Sequence, residues 1–143
     1  MMLDGFARTA LRSVALVALL LVTGCPSPVG QIGDDDYVWS SETLKMNYQQ
    51  VYRNVLNGYR HCMEVAPAAN LYTDIKKGDM VFYLPALGGG NSSWVHGKAS
   101  IDAIGDDSSM LKVGVISAYD KGWFRAQVLQ WAHGDTNCEP NQN

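Results

Sequence analysis

The sequence has little of what most catalytic or nucleic-acid-binding chains carry. It holds 3 histidines and 3 cysteines in 143 residues, and charged residues make up 17% of it. No Cys-x-x-Cys pair occurs, so neither a thioredoxin-like redox motif nor a closed zinc site is spelled out. Lysine and arginine total 11 against 14 acids, for a formal net charge of −3, and the two signs are interspersed. That excludes the basic stripe expected of a nucleic-acid binder. Only one long apolar run exists, Val14 to Val22, and no internal repeat follows it.

Nine residues of helix span about 14 Å, roughly half of a ~30 Å hydrocarbon core. Arg8 and Arg12 precede the run and small residues follow it. Charge in front, a short apolar centre and a small-residue exit are the order of parts in a signal peptide. The exit, Val22-Thr23-Gly24-Cys25, resembles the lipobox of bacterial lipoproteins. That resemblance covers the first 25 residues. It implies cleavage after Gly24, a diacylglyceryl thioether on Cys25 and acylation of the new amino group. Two or more acyl chains anchor a protein stably where one does not. Pro26 stands where an inner-membrane retention aspartate would, so the expected place is the periplasmic face of the outer membrane. The first partner expected is thus the membrane itself, through Cys25.

Residues 25–38 read as a tether, with Pro, Ser and Gly followed by Asp34-Asp35-Asp36. The aspartate run lacks the spaced oxygen ligands of a calcium loop and reads as a solvated linker. A single domain is expected over 39–143, of a size that supports one core.

Within it, Ser40 as N-cap and Glu42 in the first turn suggest a helix start. Leu44, Tyr48, Val51, Tyr52, Val55, Tyr59, Cys62 and Met63 continue at steps of three and four, an apolar helical face. Its tyrosines are expected to pack at the core or rim with their hydroxyls reaching water. Pro67 ends it. Four strand-like segments follow: 71–75, 80–84, 94–104 and 110–118. Lys76-Lys77-Gly78-Asp79 offers a hairpin with Gly78 available for positive φ. Short connections point to an antiparallel meander.

Residues 123–133 read as a helix, from the steps Phe124, Val128 and Trp131 and from Gly134 at the C′ position. The expected fold is α+β: a helix, a four-stranded antiparallel sheet and a C-terminal helix, with both helices on one sheet face. Val95, Ala99, Ile101, Val113 and Val115 should meet Val51, Val55, Val128 and Trp131 in the core. The alternative makes residues 123–131 a fifth strand of a small SH3-like β-barrel behind an N-terminal helix.

With Cys25 lipidated, Cys62 and Cys138 remain as an even pair in an oxidising compartment, which reads as one disulfide. Tyr59-Arg60-His61-Cys62 and Trp131-Ala132-His133-Gly134-Asp135, with Cys138 shortly after, also resemble small uncharacterised proteobacterial lipoproteins. That likeness implies no activity and agrees with the cysteine pairing.

Chemistry-bearing groups are few. His96, Ser100 and Asp102 alternate onto one strand face, but neighbours on a face stand about 7 Å apart, beyond nucleophile–base reach. Gly88-Gly89-Gly90 lacks the Lys-Ser/Thr and following helix of a phosphate loop. It reads as a hairpin loop which, with Trp94 at its edge, is the expected place for partner contact. No metal, cofactor or enzymatic activity is expected. The sequence points to a non-enzymatic binding or assembly module contacting another envelope protein. An inhibitor or immunity protein against a periplasm-acting toxin or wall-degrading enzyme is the alternative.

Overall fold

A computed structural model describes residues 32–63, 65–85, 93–118 and 122–139. The lipobox, Cys25 and Gly88–Gly90 lie outside the described residues. The chain divides into two units, and the described elements belong to the second, Gly33–Asn143. A single 3-10 turn, Asp34–Asp36, leads into β1 (Tyr37–Leu44). Then come α1 (Tyr48–Met63), β2 (Ala68–Tyr72), β3 (Lys77–Pro85), β4 (Ser93–Gly105), β5 (Ser108–Ile116) and α2 (Trp123–Ala132). The class is α+β as expected, but the antiparallel sheet has five strands, in the order β1-β5-β4-β3-β2.

The fifth strand is β1, formed by residues that read from sequence as the tether's end and the helix's first turn. Tyr37, Val38, Trp39 and Thr43 are β-formers. Their pairing partner is β5, in unbroken register from Tyr37 opposite Ile116 to Leu44 opposite Ser109. Ser40 is therefore a strand residue, and the helix begins after Asn47. The Asn47 carbonyl accepts from the Val51 amide at 3.1 Å, and its side-chain oxygen accepts from the Gln49 amide at 2.9 Å. Asn47 thus satisfies donors that a helix start leaves open. Its side-chain amide also donates to the Asp106 carbonyl at 2.9 Å, tying α1 to the β4–β5 turn.

The β2–β3 turn sits earlier than the sequence suggests. Residues 73–76 make it, and Lys76 takes the positive φ of 52°. Gly78 is instead inside β3, where a Cβ would lie 2.6 Å from the Tyr52 ring. Glycine there lets α1 lie close on the sheet.

Side chains alternate across a strand, and the register assigns the faces. Leu44, Val113, Val115, Leu111, Ala99, Ile101, Met80 and Phe82 point to the helices. They close the core with Val51, Val55, Tyr59, Phe124, Val128 and Trp131. The two helices cross where Gly58 faces Trp131, and a Cβ on Gly58 would overlap the indole. Residues 123–132 are helical, so the barrel alternative does not form. Gly134 sits at C′ with φ 90°. Its amide donates to the Trp131 carbonyl at 2.8 Å and the Asp135 amide to the Gln130 carbonyl at 3.3 Å, the two bonds of a Schellman motif.

Cys62 and Cys138 form the expected disulfide, with Cα atoms 5.2 Å apart. It ties the end of α1 to the segment after α2. The Asn137 carbonyl in that segment accepts from Gln127 Nε2 at 2.6 Å and from Trp131 Nε1 at 3.3 Å. Both donors belong to residues with no exposed surface.

Candidate interaction surface

Both helices pack on one face of the sheet, and the opposite face collects most of the distinctive side chains. Cross-strand pairing arranges it in rows. One row runs Tyr72, Lys77, Asp102, Met110, Thr43. The next is Asn70, Asp79, Ser100, Lys112, Ser41, all polar. The third is Ala68, Val81, Lys98, Gly114, Trp39.

Trp39 is the platform of this face. Its indole lies over Gly114, where any Cβ would come within 2.7 Å of the ring. Indole Nε1 donates to the Asp34 carbonyl at 3.1 Å, which fixes the ring's rotation. Tyr37 packs beside it with centroids 5.6 Å apart. Two ammonium groups stand over these rings: Lys112 lies 4.4 Å from the Trp39 centroid, and Lys98 4.4 Å from that of Tyr37. Such cation–π contacts favour the lysines in this arrangement. Lys98 also forms an ion pair with Asp34, whose carboxyl is held below the usual carboxylate range by that bond and charge. The aspartate run, a plain linker by its sequence, thus has one member docked on the sheet. Burial pushes the Tyr37 phenol up.

The end of this face at the β2–β3 turn mixes charged and exposed apolar side chains. Tyr72 and Met110 belong to its end row, and Ile75 and Ile104 are 64% and 56% exposed. The Ala103 amide donates to the Lys76 carbonyl at 3.0 Å, which ties the β2–β3 turn to β4. Ser100 Oγ donates to Asp102 Oδ2 at 3.0 Å, closer than strand spacing alone suggests, because both side chains lean along the strand.

His96 does not join them. Gly97 pairs with Phe82, yet the next β3 residue, Tyr83, pairs with Val95. His96 is the extra residue of a β-bulge, and a bulge re-aims side chains. Instead of the wet face, it lies 3% exposed against Phe124, with centroids 4.6 Å apart in an edge-on contact. Trp123 is a further neighbour at 6.2 Å. Plain alternation sets His96 on the same face as Ser100 and Asp102; the bulge separates them, and no trio forms. Val95 is buried, as expected, but shares a row with Tyr83 and stands outside the main core cluster.

Of the residues expected to meet a partner, Trp94 is 56% exposed at the start of β4. The uncovered sheet face is not visible from sequence, because β1, which brings Trp39 to it, reads as tether and helix. Among the described residues no helix is long and apolar enough to cross a membrane, and no group of three His, Cys, Asp or Glu side chains could hold a metal ion. No protein-family model, no curated protein and no solved structure matches this chain.

Proposed function

We propose that the chain is a lipid-anchored, non-enzymatic binding module of the bacterial envelope whose uncovered sheet face meets another envelope protein. The observation that carries the binding part is the Trp39–Tyr37 pair, set between Lys98 and Lys112 on a face that neither helix covers. A rigid aromatic pair supplies contact area at low entropic cost, and aromatic residues are enriched where proteins meet. The polar row beside it offers hydrogen bonds, and Tyr72 and Met110, at separate places in the end row, offer exposed apolar area.

The anchoring part rests on the sequence: the apolar run, the lipobox and Cys25. From Cys25 to Gly33 the chain can extend over at most about 28 Å, which keeps the domain near its membrane. The Cys62–Cys138 disulfide suits an oxidising compartment.

A photo-crosslinking amino acid at Ser100, in the full-length chain in intact cells, tests the surface against the same group at Thr73 in the exposed turn. A reproducible adduct from Ser100 and none from Thr73 is expected. Equal labelling from both positions overturns the surface. Acyl labelling of the Cys25→Ala variant tests the anchor separately, since its persistence would end the lipoprotein reading without touching the binding result.

A further inference from the structure

The two edges of the sheet are unequal. β2 carries the devices that keep an edge from pairing: it is five residues long, Pro67 stands immediately before it, and Lys76 and Lys77 mark its turn. β1 has neither the short length nor the proline and lysine, and the charge it carries, Glu42, is taken up by His133. It is eight residues long, contains no proline and no lysine, and pairs with β5 without a bulge. Among the described residues no strand pairs with its outer side, and the backbone N–H and C=O groups along such an edge are ones a second strand satisfies.

We infer that β1 is the seam of a symmetric dimer, in which the β1 strands of two copies of this chain pair antiparallel about Ser41. Directly opposed residues share a face, so a twofold axis falls on a residue rather than between two. Three centres are close to the middle of the strand. Centring on Glu42 sets two carboxylates against each other. Centring on Ser40 sets Glu42 against Val38. Centring on Ser41 sets Glu42 against Ser40 of the other copy, and that serine already holds a cation: Arg125 Nη1 donates to Ser40 Oγ at 2.7 Å. Each carboxylate then approaches the other copy's guanidinium, twice over by symmetry. Glu42 comes to this contact already oriented, 2.8 Å from His133 Nε2.

The remaining pairs in this register agree. Trp39 faces Thr43, an aromatic–β-branched pair of the kind that stabilises sheets. Tyr37 faces Lys45 just past the strand's end. Val38, 36% exposed in the single chain, comes alongside Leu44. Ser41 meets Ser41 at the axis, small and uncharged. Two five-stranded sheets become one of ten strands, and the two Trp39 platforms lie on the same side of it. This inference is independent of the lipid anchor and of the partner proposed for the open face.

Cysteine crosslinking in the full-length chain, in its own membranes, tests it. In the proposed register the thiols introduced by Ser41→Cys oppose each other across the axis, on Cα atoms within the about 4.4–6.8 Å that a disulfide needs. Those introduced by Thr43→Cys lie about 14 Å apart along the strands. Ser41→Cys should give a reducible adduct of twice the chain mass, while Thr43→Cys and the unaltered chain give none. Adding Glu42→Arg to Ser41→Cys should cut the adduct at least tenfold, by setting arginine against Arg125, and adding Arg125→Glu as well should restore it. Absence of the Ser41→Cys adduct overturns the dimer, provided the Cys62–Cys138 bond shows that the chain is folded. An equal adduct from Thr43→Cys overturns the register, and a Ser41→Cys adduct to a different protein overturns self-pairing in favour of a foreign strand.

Discussion

The Tyr59 hydroxyl serves both main-chain groups of Tyr83: it accepts from the amide at 2.9 Å and donates to the carbonyl. Tyr83 sits where the β3–β4 ladder is broken by the bulge at His96. A buried backbone group without a partner is costly, and a side chain from α1 supplies both partners here. Tyr59 packs in the core, as expected from sequence, but its hydroxyl meets backbone and not water. It packs on Phe82 with centroids 5.0 Å apart, so one residue holds the helix to the sheet and lets the bulge exist.

Tyr59→Phe should therefore cost about 1–3 kcal/mol, the usual penalty for stranding buried polar groups, measured by urea unfolding. The same residue sets an alkaline limit. Burial raises the Tyr59 phenol above its ordinary value of 10.0. A folded-state pKa raised above the unfolded one gives stability that is whole below about pH 10 and lost as pH climbs through the folded value. Absorbance titration should show Tyr59 ionising only as the protein unfolds. Ionisation of every tyrosine together, with the fold intact, would contradict this.

Gly58→Ala should destabilise although alanine is the better helix former. A mid-helix glycine costs about 1 kcal/mol relative to alanine, so its presence needs a reason. The reason is the Trp131 indole, which occupies the space of a Cβ. Overpacking of this kind costs about 1–3 kcal/mol. Thermal melts of Gly58→Ala and Gly58→Ala with Trp131→Leu separate the effects: the second change should recover part of the loss.

How far the sequence can be read follows from where each signal lies. α2 is legible because its evidence is local, with apolar steps on one side and Gly134 at the end. β4 and β5 are legible from alternation and a short turn. β1 is not, because its partner β5 lies about seventy residues away, and Leu44 stands four before Tyr48, which extends the helical pattern backwards by coincidence. Asn47 is the available stop signal, as good a cap by residue type as Ser40. The turn shifts because Gly78 is needed for its missing side chain, under Tyr52, and not for positive φ. The His96 bulge has no local signature: it depends on Tyr59, far off in the chain. Since the uncovered face is defined by β1 and by which residues the bulge removes from it, that surface is hidden along with them.

The disulfide should contribute more than loop closure. A loop of 76 residues contributes on the order of 4 kcal/mol in the chain-entropy model. It also holds the Asn137 carbonyl over Gln127 and Trp131. Cys138→Ser should lower the unfolding free energy and, in addition, speed amide exchange along α2. A variant that keeps the bond but changes the carbonyl's position, Asn137→Pro, tests the second part. If exchange in α2 stays at the parent rate in both variants, the tail is only a staple.

Gly114 tests whether the Trp39 platform is a working surface. Gly114→Ala puts a methyl 2.7 Å from the indole, so the ring must lift, and the Nε1 bond to the Asp34 carbonyl must lengthen or break. The position lies on the face away from the main core, so the expected stability loss is within about 1–3 kcal/mol. The expected effect on binding is larger: the Ser100 photo-adduct should fall at least tenfold while the Cys62–Cys138 bond stays formed. Tryptophan fluorescence should report the lifted ring, though four tryptophans contribute, so the change is read against Trp39→Phe. An adduct of unchanged yield with the ring displaced would move the contact off the aromatic pair and onto the neighbouring rows of the same face.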